Sequence, residues 1–189
     1  MVIVYTGNGK GKTTAALGLA FRAIGQGWRV LFIQFLKSSK AYGELKSARK
    51  LSPDLEIVQV GKDCVYSQDD ARRYQCPDCN FACHINPANP DSADIAAARK
   101  GFALAEEKVK SGTYNMIVLD EINYAVSYGL ILLDSAIALI DNKPANLHLV
   151  LTGRNADSSV IQRADLVTEM CEIKHPFQKG VKSTKGIDL

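Results

Sequence analysis

No apolar run in these 189 residues approaches the roughly 20 needed to cross a bilayer. The opening Met1-Val2-Ile3-Val4-Tyr5 has no basic lead and passes straight into glycines, so no secretory leader is expected and a cytoplasmic location is. An excess of one charge is missing too. The 23 Lys and Arg face 20 Asp and Glu for a net charge of +3, too mild for a dedicated nucleic-acid binder. There is no internal repeat and no linker, so one domain over 1–189 is expected, long enough to bury a core. Tryptophan occurs once, as Trp28 ahead of an apolar strand, and reads as packing. Cysteine is sparse and odd in number, five in all, with three crowded into Cys76 to Cys83. In a reducing compartment that spacing suggests metal ligands or spare thiols before disulfides.

What is present is an alternation of short β-branched runs with helical stretches. Strands are predicted at Val2 to Tyr5, Arg29 to Phe35, Leu55 to Val60, Met116 to Leu119, Leu147 to Leu151 and Leu166 to Ile173. Helices are predicted at Thr13 to Ile24, Glu44 to Leu51, Asp91 or Ser92 to about Lys110, Leu133 to Ile140 and Ser158 to Arg163. Gly61 to Pro90 has no clear periodicity and carries four of the five cysteines and three of the six prolines. A loop of that length in a compact domain usually carries function or lacks order. The alternation predicts an α/β fold with one mostly parallel sheet of about six strands, helices on both faces.

The chemistry concentrates where the first strand meets the first helix. Gly7-Asn8-Gly9-Lys10-Gly11-Lys12-Thr13-Thr14 has the composition of a phosphate-binding P-loop in the strand-to-helix context that motif requires. Its glycines let successive N–H groups turn toward one point, and the helix start adds unpaired N–H groups and a positive dipole end. Lys12 can reach the outer phosphates, Lys10 adds a second cation, and the Thr13 hydroxyl can ligate Mg²⁺. The usual spacing asks for glycine at position 6, where this chain has Thr6, so Gly7 and Gly9 are left to make the turn. The fold expectation sharpens to a P-loop NTPase-like, RecA-like domain. Asp120-Glu121 closes the fourth strand, where such folds deliver a carboxylate to the metal. Either acid can contact metal or water, and either can cap the following helix.

The cysteine loop admits several readings. Cys76, Cys79 and Cys83, with His84 or Cys64 as a fourth, can supply a tetrahedral Zn²⁺ site of structural role. Free thiols in a variable loop and a disulfide remain open, while an iron–sulfur cluster matches no standard spacing. His148, inside the fifth strand, reads as a structural histidine, and Cys171, in the sixth, as a small buried hydrophobe.

Four stretches coincide in one known pattern: TGNGKGKTTAA from Thr6 to Ala16, VLDEINY from Val118 to Tyr124, LTGR from Leu151 to Arg154, and IKHPFQKGVKSTKGID from Ile173 to Asp188. Together they resemble the P-loop corrinoid adenosyltransferases, over most of the chain except Gly61 to Pro90. The resemblance implies that ATP and a corrinoid are substrates, that Co(I) attacks C5′ of ATP, and that inorganic triphosphate leaves. It places Glu121 and Arg154 near the metal and the phosphates, and His175 within the tail motif. It implies a homodimer and a reductase, such as a flavoprotein, to supply electrons. Departures are visible. Family members carry aromatic side chains after the third strand that press on the corrin. Here that stretch offers only Tyr66, with Tyr74 and Phe81 further on. Longer members carry an N-terminal extension over the corrinoid, whereas this sequence starts at its first strand. The competing expectations are a P-loop ATPase or kinase cutting at the γ-phosphate, and a corrinoid or metal carrier switched by nucleotide.

Overall fold

The structure is a computed structural model that describes residues 1–38, 42–62, 85–86, 89–181 and 184–187. Its sheet is built from β1 (Val2–Thr6), β2 (Val30–Phe35), β3 (Leu55–Val60), β4 (Met116–Asp120), β5 (His148–Thr152) and β6 (Leu166–Glu169). The strands lie in the order β3-β2-β4-β5-β1-β6, and every neighbouring pair is parallel. Parallel strands need crossovers, and helices supply them: α1 (Lys12–Ile24), α2 (Gly43–Lys50), α3 (Ser92–Lys110), α4 (Ile122–Ser127), α5 (Leu133–Asp141) and α6 (Ser158–Arg163). A short 3-10 helix, Pro176–Lys179, follows.

Strand alternation divides the core in two. Leu31, Ile33 and Phe35 face one side with Ile117, Leu119, Leu149 and Leu151, under Phe102 and Ala105 of α3 and Ile122 of α4. Val30, Phe32, Val118 and Val150 face the other, under Ala16, Ala20 and Ala23 of α1 and Ala48 of α2. The alanine stripe lets α1 lie close to the central strands. On the opposite face Gly101 plays the same part, since a Cβ there would sit 2.4 Å from the Val60 side chain. Asp91 caps α3 in a reciprocal capping box with Asp94. Among the described residues no helix is long and apolar enough to cross a membrane.

Three expectations change. The sixth strand ends at Glu169, not near Ile173, and all four of its residues are exposed because it is the sheet edge. Cys171 lies beyond it and is an exposed free thiol instead of a buried hydrophobe. The helix after the paired acids is α4, a six-residue turn and a half whose N-cap is Glu121. Cys64, Cys76, Cys79, Cys83, His84, Tyr66, Tyr74 and Phe81 lie outside the described residues.

At the amino ends of the strands Trp28 stacks on His148, ring centroids 4.7 Å apart. Burial, with the positive amino terminus and Lys143, holds the His148 pKa below its ordinary 6.5. The folded state therefore binds fewer protons than the unfolded chain once pH drops below about 6.5, and stability is lost as pH falls from there toward the lower folded value. Trp28 being the only tryptophan, its emission should titrate with a midpoint below 6.5, and His148→Phe should abolish both that transition and this part of the acid sensitivity.

Candidate functional site

The carboxyl ends of the parallel strands converge on one cavity of about 750 Å³. It is lined by Asn8 to Thr14 of the loop, by Lys37, Tyr42 and Glu44 beyond β2, and by Glu121, Arg154 and His175. Crevices at this edge are where open α/β sheets bind ligands.

The loop owes its shape to glycine at specific places. Gly7 takes φ 92 and makes the turn that position 6 would otherwise supply. Thr6 stays in β1 with its Oγ1 accepting the Ala156 N–H at 3.3 Å, which gives the unexpected threonine a bonding role. Gly11 takes φ 115 and caps α1, so Lys12 is already the first helical residue. Gly9 has another duty. Its N–H donates to Met170 O at 2.6 Å, and a Cβ on it would lie 2.7 Å from the carbonyl oxygens of Met170 and Cys171. The segment leaving β6 is thus clamped against the loop, with the Met170 N–H donating to Thr6 O at 2.9 Å. The clamp takes Gly9 out of the set of amides expected to face an anion.

Lys12 is buried, and its Nζ donates to Gly7 O and Gly9 O, each at 2.8 Å. Burial lowers its pKa, opposed by Glu121 and Asp120 and reinforced by Arg154. Arg154 is exposed at the rim, its Nη2 donating to Asn8 O at 3.3 Å. It stands there because Gly153, at φ 128, packs where a Cβ would lie 2.9 Å from the Tyr124 amide.

The two acids separate cleanly. Asp120 is fully buried, and its Oδ1 accepts the hydroxyls of Thr13 at 2.8 Å and Thr152 at 2.7 Å. Its Oδ2 pairs with Lys37 Nζ at 2.8 Å. Glu121 lines the cavity instead. Its backbone is left-handed at φ 63, and its N–H donates to Thr152 Oγ1 at 2.9 Å. A carboxylate residue held at positive φ is the kind of strain that functional sites carry. Burial, then the Asp120 charge, raises the Glu121 pKa against the pull of Lys37, Lys12 and Arg154.

These donors suit a small hard cation. Thr13 spends its single proton on Asp120, so its lone pairs remain for a cation, and Glu121 adds a carboxylate on the same cavity. Among the described residues no three His, Cys, Asp or Glu side chains form a metal-binding group. Mg²⁺ is commonly held by one or two protein oxygens together with water and substrate phosphates. Sequence reasoning missed Lys37, Tyr42, Glu44 and Thr152. Thr152 was visible within LTGR, but Lys37 lay between the strand predicted to end at Phe35 and the helix predicted to start at Glu44.

The family model of the ATP:corrinoid adenosyltransferases BtuR/CobO/CobP matches residues 1–189. The chain is 32% identical over 189 residues to a corrinoid adenosyltransferase of Pseudomonas aeruginosa, covering 100% of this chain and 83% of that protein. It is 35% identical over 191 residues to one of Sinorhizobium, covering 100% and 80%, and 31% identical over 188 residues to one of Escherichia coli K12, covering 100% and 85%.

The clamp makes Gly9 the sharpest test of the loop. Gly9→Ala should cost about 1–3 kcal/mol of stability through overpacking against backbone that has no rotamer to yield. Denaturant melts should show that loss without nucleotide present, together with weaker ATP binding.

Proposed function

Because the chain belongs to the ATP:corrinoid adenosyltransferase family, we propose that it transfers the 5′-deoxyadenosyl group of ATP to the Co(I) centre of a corrinoid. The bond that forms is cobalt–carbon, the bond that breaks is C5′–O, and the electron pair leaves with inorganic triphosphate. The observation that carries this reading is the joining of Lys12, Thr13, Glu121 and Arg154 with the loop amides around one cavity.

Reduced cobalt is already a strong nucleophile, so the protein has no nucleophile to generate. Its tasks are to hold C5′ in line and to stabilise the charge that grows on the triphosphate. The amides from Lys10 to Thr14 at the α1 N-terminus, with the positive dipole end, suit the second task. Lys12 would exchange its loop carbonyl partners for phosphate oxygens, and Arg154 at the rim can bind phosphate through two N–H groups. Thr13 and Glu121 would hold Mg²⁺, which when bound neutralises part of the triphosphate charge. His175 lines the same cavity and stands where it can contact substrate. The family resemblance further supports a homodimer working in the cytoplasm with a reductase such as a flavoprotein. A structural Zn²⁺ on Cys76, Cys79 and Cys83 is supported by their spacing alone.

The test is the product. Incubation with ATP, Mg²⁺ and chemically reduced cobalamin should give a light-sensitive adenosyl-corrinoid and triphosphate in equal amounts. ADP and phosphate without a cobalt–carbon bond would turn the assignment to an ATPase or kinase. Nucleotide-dependent retention of the corrinoid without turnover would turn it to a carrier. In the same assay Lys12→Ala should lose about 2–4 kcal/mol in kcat/KM, roughly 30- to 1,000-fold.

A further inference from the structure

Just past β2 the chain makes a turn that no glycine announces. Leu36 takes φ 60, a left-handed conformation uncommon for a non-glycine residue. The next residue is Lys37, and its backbone is seated on Gly61, where a Cβ would lie 2.6 Å from the Lys37 N, C and O atoms. The side chain is 16% exposed, with Nζ 2.8 Å from Asp120 Oδ2 and 5.4 Å from the centroid of the Tyr42 ring. Two local constraints, a strained φ and a glycine contact, therefore act to place one ammonium on one carboxylate oxygen.

That oxygen has little else to hold it. Gln34, the register partner of Asp120, gives one of its two Nε2 protons to it at a long 3.4 Å and the other to Glu44 at 3.0 Å. The Gln34 Oε1 is taken by Gln59 at 3.0 Å. Without the ammonium, the carboxylate keeps its Oδ1 bonds to Thr13 and Thr152 but loses the short contact that fixes its rotation. The hydroxyl of Thr13 points its proton at Asp120 only while that acceptor stays in place.

We propose that Lys37 is a positioning residue: by fixing Asp120, it keeps the Thr13 hydroxyl turned so that its lone pairs face the cavity and a divalent cation carried with the triphosphate. Lys37 acts through Asp120 and is not itself a phosphate ligand. This rests on the reading of Thr13 and Glu121 as the residues that hold Mg²⁺. Groups that orient a metal's ligands commonly change metal affinity about 10–100-fold when removed.

The experiment is calorimetric ATP binding across a Mg²⁺ series, for wild type, Lys37→Met, Asp120→Asn and the double variant, with thermal unfolding alongside. Lys37→Met should raise the Mg²⁺ concentration for half-maximal binding by about tenfold or more, while leaving ATP binding without Mg²⁺ unchanged. Added to Asp120→Asn, it should change nothing further. Lys37→Met that matches wild type overturns the proposal. So does an equal loss without Mg²⁺, or a loss that adds to that of Asp120→Asn, since either makes Lys37 a direct anion contact. If Lys37→Met fails to fold, the double variant, which has no unpaired buried carboxylate, carries the same comparison against Asp120→Asn. Wild type that binds ATP without regard to Mg²⁺ removes the cation reading and this inference with it.

Discussion

A carboxylate with no access to water must have its charge matched and its lone pairs filled, and Asp120 meets that demand from four elements at once. Thr13 comes from α1, Thr152 from β5, Lys37 from the turn after β2, and Gln34 from β2 itself. The register that pairs Gln34 with Asp120 in turn sets β2 against β4, and Leu119 against Leu151 sets β4 against β5. A slip of one residue in either pair would move the acceptor out of reach of its donors and exchange the side chains that fill the two core layers. The site and the centre of the sheet are therefore specified together.

Around that fixed point the loop is shaped by two neighbours of different kinds. On one side the start of α1 presents its unpaired amides toward the cavity. On the other, the chain leaving β6 presses on Gly7 and Gly9 from behind, with the Met170 oxygen 2.5 Å from where a Cβ on Gly7 would lie. The glycine content of this motif thus serves packing as well as approach to phosphate. Gly11, whose Cβ would meet only the Met170 sulfur at 3.5 Å, is set apart by its φ of 115 rather than by crowding.

Much of this was legible in the sequence. β3 and α6 fall where they were predicted, and the central strands β1, β2, β4 and β5 agree within a residue, because strands buried on both faces read as unbroken apolar runs. The loop, marked in the sequence by its spacing, and Arg154, named there by the family resemblance, line one cavity. Spacing left the division of labour between Asp120 and Glu121 open, because a strand buried on both faces has no polar side to tell neighbours apart, and only the family resemblance singled out Glu121. Cys171 was misjudged because Leu166 to Ile173 keeps an apolar rhythm after the ladder stops, where the backbone leaves β1 to clamp the loop. Lys37 escaped notice because its placement depends on a left-handed leucine, and composition marks such turns only when they carry glycine or asparagine.

Parallel strands give the molecule two unlike poles. The amino end of β1 lies beside Leu147, with Leu149 N–H donating to Met1 O at 2.9 Å, on the pole that carries Trp28 and His148. The other pole carries the cavity, and Gly186 and Ile187 are part of its wall. The two ends of this chain are therefore unequal handles. A fusion or surface attachment through Met1 leaves the cavity-bearing pole facing solution, whereas one joined after Ile187 begins at the wall of the cavity itself.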